Sequence, residues 1–450
     1  MRGAGLWMYA SIMGGCTGKA ESRYGTGPEI FSEETAHIGD SWIFSSERIN
    51  RIDLEVGEDA MEILLSERRF SYPRNKVRVE ASMDGSDIGE VGLRIRGGLG
   101  SFQRFGDKPK LEIDFNEFTG DRFHGLESLS LNNFAQGCAG IQEAVAFAAY
   151  GLMGVPTSRT GYAQLFVNGE DYGIYLVVET QDDRWLERTF EDGGGNFYDG
   201  KYHLVGFTPY IVDFGKDKDH WFDLEEGEDI GFEDIAKVSE GVLQAQRTGQ
   251  IDGDFWQLVD WHEVAAVLRT EQWLGNDDSF GMGPNNYRVY FEPGAPMKVT
   301  PWDTDSALGG WMSTSQGETA QVSFDPSAWE EPGSALAQVC LADPHCRSYW
   351  EDLEPIAAEM LADGRLLELG EALDELVLEG LVGDPRSHCS AEDIKDAHAA
   401  ILDYLLTQEI APVPVEPVEG EEQGCSTASP PRGGLWMVMC LLALACRRRR

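Results

Sequence analysis

The chain has 450 residues, 42% hydrophobic and 25% charged, with 12 Trp and 21 Phe, enough apolar material for about two or three ordinary domains or one large two-lobed one. A formal net charge of −42 excludes a general nucleic-acid-binding surface, which needs basic patches, so any phosphate has to be met by a few specific cations or by metal. Neither the P-loop pattern nor the G-x-S-x-G elbow occurs, and His262-Glu263 lacks a second histidine at position 266, which is Ala, so the zincin pattern is also absent.

Residues 1–16 are short, weakly basic and apolar and end in Ile12-Met13-Gly14-Gly15-Cys16. This resembles a bacterial lipoprotein leader, with Cys16 the lipidated residue; a plain secretory signal or a mis-assigned start is the alternative, and the segment is set aside from the fold. Apolar alternation predicts strands at residues 49–55, 77–81, 91–95 and 111–115. Gly97, Gly98 and Gly100 form a glycine-rich turn between the last two, where backbone N–H groups can approach phosphate; a plain hairpin loop is the commoner meaning. Residues 141–153 repeat apolar side chains at helical spacing and stop at Gly154-Val155-Pro156. Strands at 163–167 and 174–178 flank Asn168-Gly169, a strong hairpin signal. Residues 181–190 read as a short amphipathic helix, and 191–229, rich in Gly and Asp, as an irregular surface insertion. Helices follow at 232–246, 255–274, 349–381 and 391–409. Strands first and helices second give an α+β, two-lobed order, with one lobe at 30–180 and the other at 181–410.

Within the second lobe, residues 275–310 carry Asp277, Asp278, Asn285, Asn286, Asp303 and Asp305 over two apolar segments that read as adjacent strands. Oxygen ligands facing each other across a hairpin suit Mg²⁺, Mn²⁺ or Ca²⁺ rather than zinc, with one carboxylate left over as a base. The same residue types are also ordinary turn formers.

Residues 411–432 are a Pro/Glu linker ending in a Cys425 motif, and 433–450 are an apolar segment closed by Arg447 to Arg450. As a helix the apolar part reaches about 18 Å, short of a ~30 Å hydrocarbon core. Cysteine motif, apolar segment and arginine cluster in that order resemble a myxobacterial-type C-terminal sorting signal of surface proteins. Four of the eight cysteines lie in these ends; Cys138, Cys340, Cys346 and Cys389 remain in the body. An even four fits an oxidising compartment and allows three pairings, with a disulfide among Cys340, Cys346 and Cys389 expected.

Eight pieces together resemble the CotH (spore-coat protein H) kinase family, a secreted branch of the protein-kinase-like fold. They are RIRGGLG (94–100), KPKLEIDFNEF (108–118), GDRFHGLESLSLNN (120–133), IQEAVAFAAYGLMGVPTSR (141–159), FVNGEDYGIYLVVE (166–179), GGGNFYDG (193–200), NDDSF…NNYRVYF (276–291) and PWDTDSALGG (301–310). The resemblance spans residues 45–405. It implies an atypical protein-kinase-like two-lobed fold, with a β-rich N-lobe holding one main helix and a mostly helical C-lobe holding a metal-binding hairpin. It also implies ATP with Mg²⁺ or Mn²⁺ as cofactors, and a protein Ser/Thr substrate at the cell surface or spore coat. Asp278 would orient the attacking hydroxyl, Asn286 and Asp303 would hold metal, and Asp305 would support them. The turn Gly97, Gly98 and Gly100 would cover phosphates, Lys108 or Lys110 would pair with them, Glu143 would hold that lysine, and Glu179 would fall near the adenine side.

Two departures from the family pattern stand out. Gly-Leu-Gly replaces the hydroxyl-bearing Asn-Ser-Ser of the turn, and Glu112 and Asp114 replace basic residues. They motivate a second reading, a catalytically silent surface binding module or adhesin. A third is a Ca²⁺-stabilised matrix protein using the acidic hairpin structurally. The two ends predict an extracytoplasmic, cell-surface or outer-membrane-associated protein, attached through a lipid anchor or the C-terminal tail.

Overall fold

The computed structural model describes residues 39–69, 73–98, 100–200, 202–205, 208–215, 221–309 and 332–410. The leader with Cys16, Leu99, Gly310, the linker 411–432 and the tail 433–450 lie outside the described residues.

The first lobe comprises β1 (Ile49–Glu55), α1 (Glu58–Ser66), β2 (Val77–Met83), β3 (Ser86–Ile95), β4 (Leu111–Asp114), β5 (Ser128–Asn132), α2 (Gln142–Leu152), β6 (Thr160–Val167) and β7 (Glu170–Glu179). Its strands close into a barrel in the order β1-β2-β3-β4-β5-β7-β6. All neighbours are antiparallel except β1 and β6, which run parallel with Ile52 opposite Leu165. Closure leaves no open edge, and the inward-facing residues Ile52, Leu54, Val79, Val91, Leu93, Ile113 and Leu165 are fully buried. Asn168 and Gly169 take left-handed φ of 51° and 77°, as a two-residue hairpin turn between twisted strands requires. The Asn168 amide also ties to the Val56 N–H at 2.7 Å and carbonyl at 3.0 Å, which fixes the lead-in to α1, a helix the apolar pattern did not announce.

The second lobe begins with α3 (Asp183–Thr189), β8 (Asn196–Gly200), β9 (His203–Val205), β10 (Thr208–Tyr210) and β11 (Asp223–Glu226). It continues with α4 (Glu233–Thr248), α5 (Gly253–Leu258), α6 (Trp261–Leu274), β12 (Tyr287–Phe291) and β13 (Lys298–Pro301), then helices Ala335–Ala342, Pro344–Asp352, Glu354–Ala362, Arg365–Val382 and Ala391–Ile410. The stretch 191–229, expected to be irregular, supplies strand β8 to the sheet β11-β8-β12-β13. Phe197 and Tyr198 are fully buried there, and the flanking glycines that suggest a loop instead let the backbone pass close by: a Cβ on Gly200 would strike the Tyr287 ring at 2.3 Å. The helix expected over 255–274 is two, because the Asp260 carboxylate accepts from the Glu263 N–H at 3.1 Å and starts α6 afresh. The helix expected over 349–381 likewise resolves into three, the last two parted by Gly364 at φ 82°.

α2 is buried along nearly its whole length, and its Val145, Phe147 and Tyr150 share one apolar cluster with Val264, Val289 and Leu366 of the second lobe. The helix therefore belongs to both lobes. A second junction lies between the last two helices. There Asp384 pairs with Lys108, both side chains almost fully buried, and accepts from the Ile174 N–H at 3.0 Å. Gly173, at φ 87°, has no room for a Cβ, which would sit 2.1 Å from the Asp384 carboxylate. Arg386 donates to the Asp107 and Asp171 carbonyls at 2.9 and 3.2 Å and lies 3.7 Å over the Tyr172 ring. Disulfides join Cys138 to Cys389 and Cys340 to Cys346; the second falls within the trio expected from the sequence, and the first brings in Cys138.

Removing one partner of a buried ion pair strands the other charge. Asp384→Ala should therefore lower the unfolding free energy by about 3–5 kcal/mol, and Lys108→Met combined with Asp384→Asn should recover most of that loss. Denaturant titration of the three proteins checks this; equal losses in the single and double variants would remove the pairing argument.

Candidate active site

Four carboxyl groups and one ammonium converge between the lobes. Lys110, immediately before β4, places its Nζ 2.5 Å from Asp303 Oδ1, and its side chain is 8% exposed. Burial alone would lower its pKa, but the charges of Asp303, Glu143 and Asp305 more than offset that, so the ammonium is held charged. Lys108, two residues earlier, points to Asp384 instead, and burial lowers its pKa despite that partner.

Glu143 sits in the first turn of α2, where the helix dipole favours a carboxylate. Both its oxygens accept from the Asn132 side-chain amide at 2.7 Å. Burial, then the nearby charge of Asp303, push it up to about 7 against the pull of Lys110 and Asn132. Asp305 is raised well above its ordinary range by burial and then by Asp303, with Glu143 and Asp278 adding to it. These mutual effects place Glu143, Asp278, Asp303 and Asp305 within electrostatic reach of one another.

The β12–β13 hairpin sets the far wall. Asn286 and Asp303 flank its strands, joined through the Trp302 N–H donating to the Asn286 carbonyl at 2.9 Å. Both adopt left-handed φ, 51° and 50°, a conformation that Asn and Asp tolerate better than other side chains. Asn286 Nδ2 donates to Asp278 Oδ2 at 3.1 Å and to the Asp278 carbonyl at 2.9 Å, and Asn285 Nδ2 donates to Asp278 Oδ1 at 3.0 Å. Asp278 is thus clamped by two amides. Its pKa is raised by burial first, opposed by Asn285, with Asp303 and Asp277 adding to the rise. Asp277 turns away to accept from Ser306 Oγ at 2.9 Å. With Asn286 Nδ2 spent on Asp278 and Asp303 Oδ1 on Lys110, the oxygens left are Asn286 Oδ1 and Asp303 Oδ2. That donor set fits a hard divalent cation such as Mg²⁺ or Mn²⁺.

The turn bearing Gly97, Gly98 and Gly100 joins β3 to β4. Gly97 and Gly100 take φ of 91° and 90°, and Gly98 N–H donates to Ser101 Oγ at 3.2 Å. Glu112, the acidic residue on β4, does not lie unpaired in the cleft. Although burial would raise it, Arg96, Arg94 and Lys76 bring it down to about 2, and Arg94 holds both its oxygens at 2.6 and 2.8 Å. Glu179 is buried and receives paired bonds from Arg159, at 2.7 and 3.0 Å, and from Arg188, at 2.7 and 3.1 Å. Its carboxylate therefore anchors the junction of β7 and α3. The sequence gives no role to Asn132 or Asp384, and it places Asn285 among the hairpin's candidate cation ligands, whereas its amide clamps Asp278. The Asn-Asn pair closing β5 was the one local signal for Asn132.

A different group, Cys138, His388 and Cys389, has ligand-type atoms within 4.8 Å of one another, but the disulfide between its sulfurs removes both thiolates as donors.

The family model described as CotH kinase protein matches residues 93–407, well over half of the chain. No curated protein matches it.

Beneath the Asp278 loop, buried Glu271 of α6 accepts from the Gly281 N–H at 2.8 Å, and burial pushes it up to about 8. Its folded pKa lies above the ordinary glutamate value of about 4.3, so the folded state binds the extra proton and stability declines as pH rises across the window between the two. Glu271→Gln removes that titration. The stability advantage of this variant over wild type should grow by about 4 kcal/mol between pH 5 and pH 8, read from melting temperatures; melting curves that stay parallel across pH would refute this.

Proposed function

The chain belongs to the CotH kinase family, and from that premise we propose that it transfers the γ-phosphate of ATP to Ser or Thr hydroxyls of proteins at the cell surface or spore coat. The observation that carries the reading is the Lys110–Asp303 pair within electrostatic reach of Glu143 and Asp305, with Asp303 also acting on Asp278. Phosphoryl transfer needs charge neutralisation, in-line positioning and an acceptor for the substrate proton, and each need has a residue here. Bound Mg²⁺ or Mn²⁺ would neutralise phosphate charge, held by Asn286 and Asp303 with Asp305 in support.

Lys110 is a fixed ammonium that a phosphate oxygen can take over from Asp303, and Glu143, bound through both oxygens to the Asn132 amide, backs it from α2. Asp278, clamped by Asn285 and Asn286, accepts the hydroxyl proton. Its raised pKa makes it a stronger proton acceptor than an exposed aspartate. The glycine-rich turn, with Gly97 and Gly100 in left-handed backbone, lets the chain itself approach phosphate in place of the hydroxyls it lacks. Glu112, whose presence on β4 motivated the silent-module reading, is neutralised by its arginines, which supports catalysis over a purely adhesive role. The leader with Cys16 and the C-terminal tail support an extracytoplasmic, surface-attached location, reached through a lipid anchor or the tail.

The test is Mg²⁺- or Mn²⁺-dependent transfer of labelled phosphate from ATP to protein. Asp278→Ala should lower turnover by about 100-fold or more, and undiminished transfer would sink the assignment. Asp303→Ala should chiefly raise the metal concentration needed, since it removes a metal oxygen and not the base. Absence of any thermal shift with ATP and either metal would favour the silent surface module.

A further inference from the structure

We infer that Gln136 is a positioning residue that couples the glycine-rich turn to Asp305, so that nucleotide seating under the turn and metal capture at the hairpin reinforce each other; this rests on the kinase reading above. Gln136 lies in the loop between β5 and α2. Its Nε2 donates to Asp305 Oδ1 at 3.2 Å. Its Oε1 lies against the turn, where a Cβ added at Gly100 would fall only 2.3 Å away. One primary amide thus spans from the phosphate-covering backbone to the carboxyl group on the metal side. Glycine at position 100 is what allows that approach, at φ 90°.

The platform carrying the amide is fixed on several sides. Cys138, two residues on, is bonded to Cys389. The Tyr162 hydroxyl donates to the Gly140 carbonyl at 2.9 Å. Asn133 Nδ2 donates to the Ser101 carbonyl at 3.2 Å and to the Lys108 carbonyl at 2.7 Å, which holds the far end of the turn and the approach to Lys110. With its backbone held, the Gln136 side chain acts as a strut. When the turn settles on phosphate the amide is confined and Asp305 Oδ1 stays occupied, which sets the plane of that carboxyl group. When the turn lifts, the amide regains rotational freedom and the Asp305 carboxyl plane is no longer set. Coupling of this kind is reciprocal: whatever factor nucleotide adds to metal affinity, metal adds to nucleotide affinity.

The experiment measures ATP affinity in the presence of a chelator and again at saturating Mg²⁺, for wild type, Gln136→Ala and Gln136→Met, the last keeping bulk under the turn without hydrogen bonds. The affinity of Mg²⁺ for free ATP is common to all three and cancels in the comparison. The metal-induced gain in affinity should fall about tenfold in both variants, while affinity without metal stays within about twofold and the melting temperature is unchanged. An undiminished gain in either variant, with wild type binding ATP, overturns the role of Gln136 alone. A wild-type protein that binds no ATP under either condition overturns the kinase reading and this inference together.

Discussion

The site depends on a single ammonium set among carboxylates. In a chain of net charge −42, bringing Glu143, Asp278, Asp303 and Asp305 into one partly dry cleft is electrostatically costly, because like charges at low dielectric repel strongly. Lys110 offsets part of that cost through its contact with Asp303; protonation of Glu143 and Asp305, whose pKa values both rise, relieves more. The remaining charge deficit fits a site that gains stability when a divalent cation binds. The acidity of the cleft is thus of a piece with the divalent metal that the kinase family suggests.

That arrangement holds its geometry because its parts come from elements packed and hydrogen-bonded to one another. α2 shares its core with the second lobe, so Glu143 is positioned by the packing of the whole molecule and not by one lobe's orientation. The hairpin is tied to α6 through Val299 N–H donating to Glu263 at 2.9 Å, and the Asp278 loop through Glu271. Asn286 and Asp303 sit in left-handed backbone, a local cost that residues of this kind meet at functional positions where surrounding structure fixes them.

Much of this was legible from local pattern. The barrel strands alternate, the Asn168-Gly169 turn announces its hairpin, and α2 repeats its apolar residues at helical spacing. The two segments around Asn286 and Asp303 read as paired strands, as they are. What stayed hidden was decided at long range. Lys108 and Lys110 are equivalent in the tripeptide Lys-Pro-Lys, and the residue that separates their roles, Asp384, is 276 positions from Lys108. Cys138 meets a partner 251 positions away, a pairing that spacing cannot reveal. Strand β8 was masked by glycines whose purpose is close approach to Tyr287, the same composition that elsewhere marks a loop.

The clasp between Asp384, Arg386 and Cys389 has a consequence for the order in which the molecule is completed as it is synthesised. A chain extended only through the hairpin already carries Lys110, Glu143, Asp278, Asn286, Asp303 and Asp305, yet it lacks the counter-charge for Lys108, the backbone ties at residues 107 and 171 and the sulfur partner of Cys138. Lys108 then faces solvent beside β7 instead of closing the seam with Asp384. The segment between the final helices thus completes the first lobe: a chain that ends at the hairpin holds the carboxyl cluster without the ties that close the seam at Lys108 and anchor the loop at Cys138.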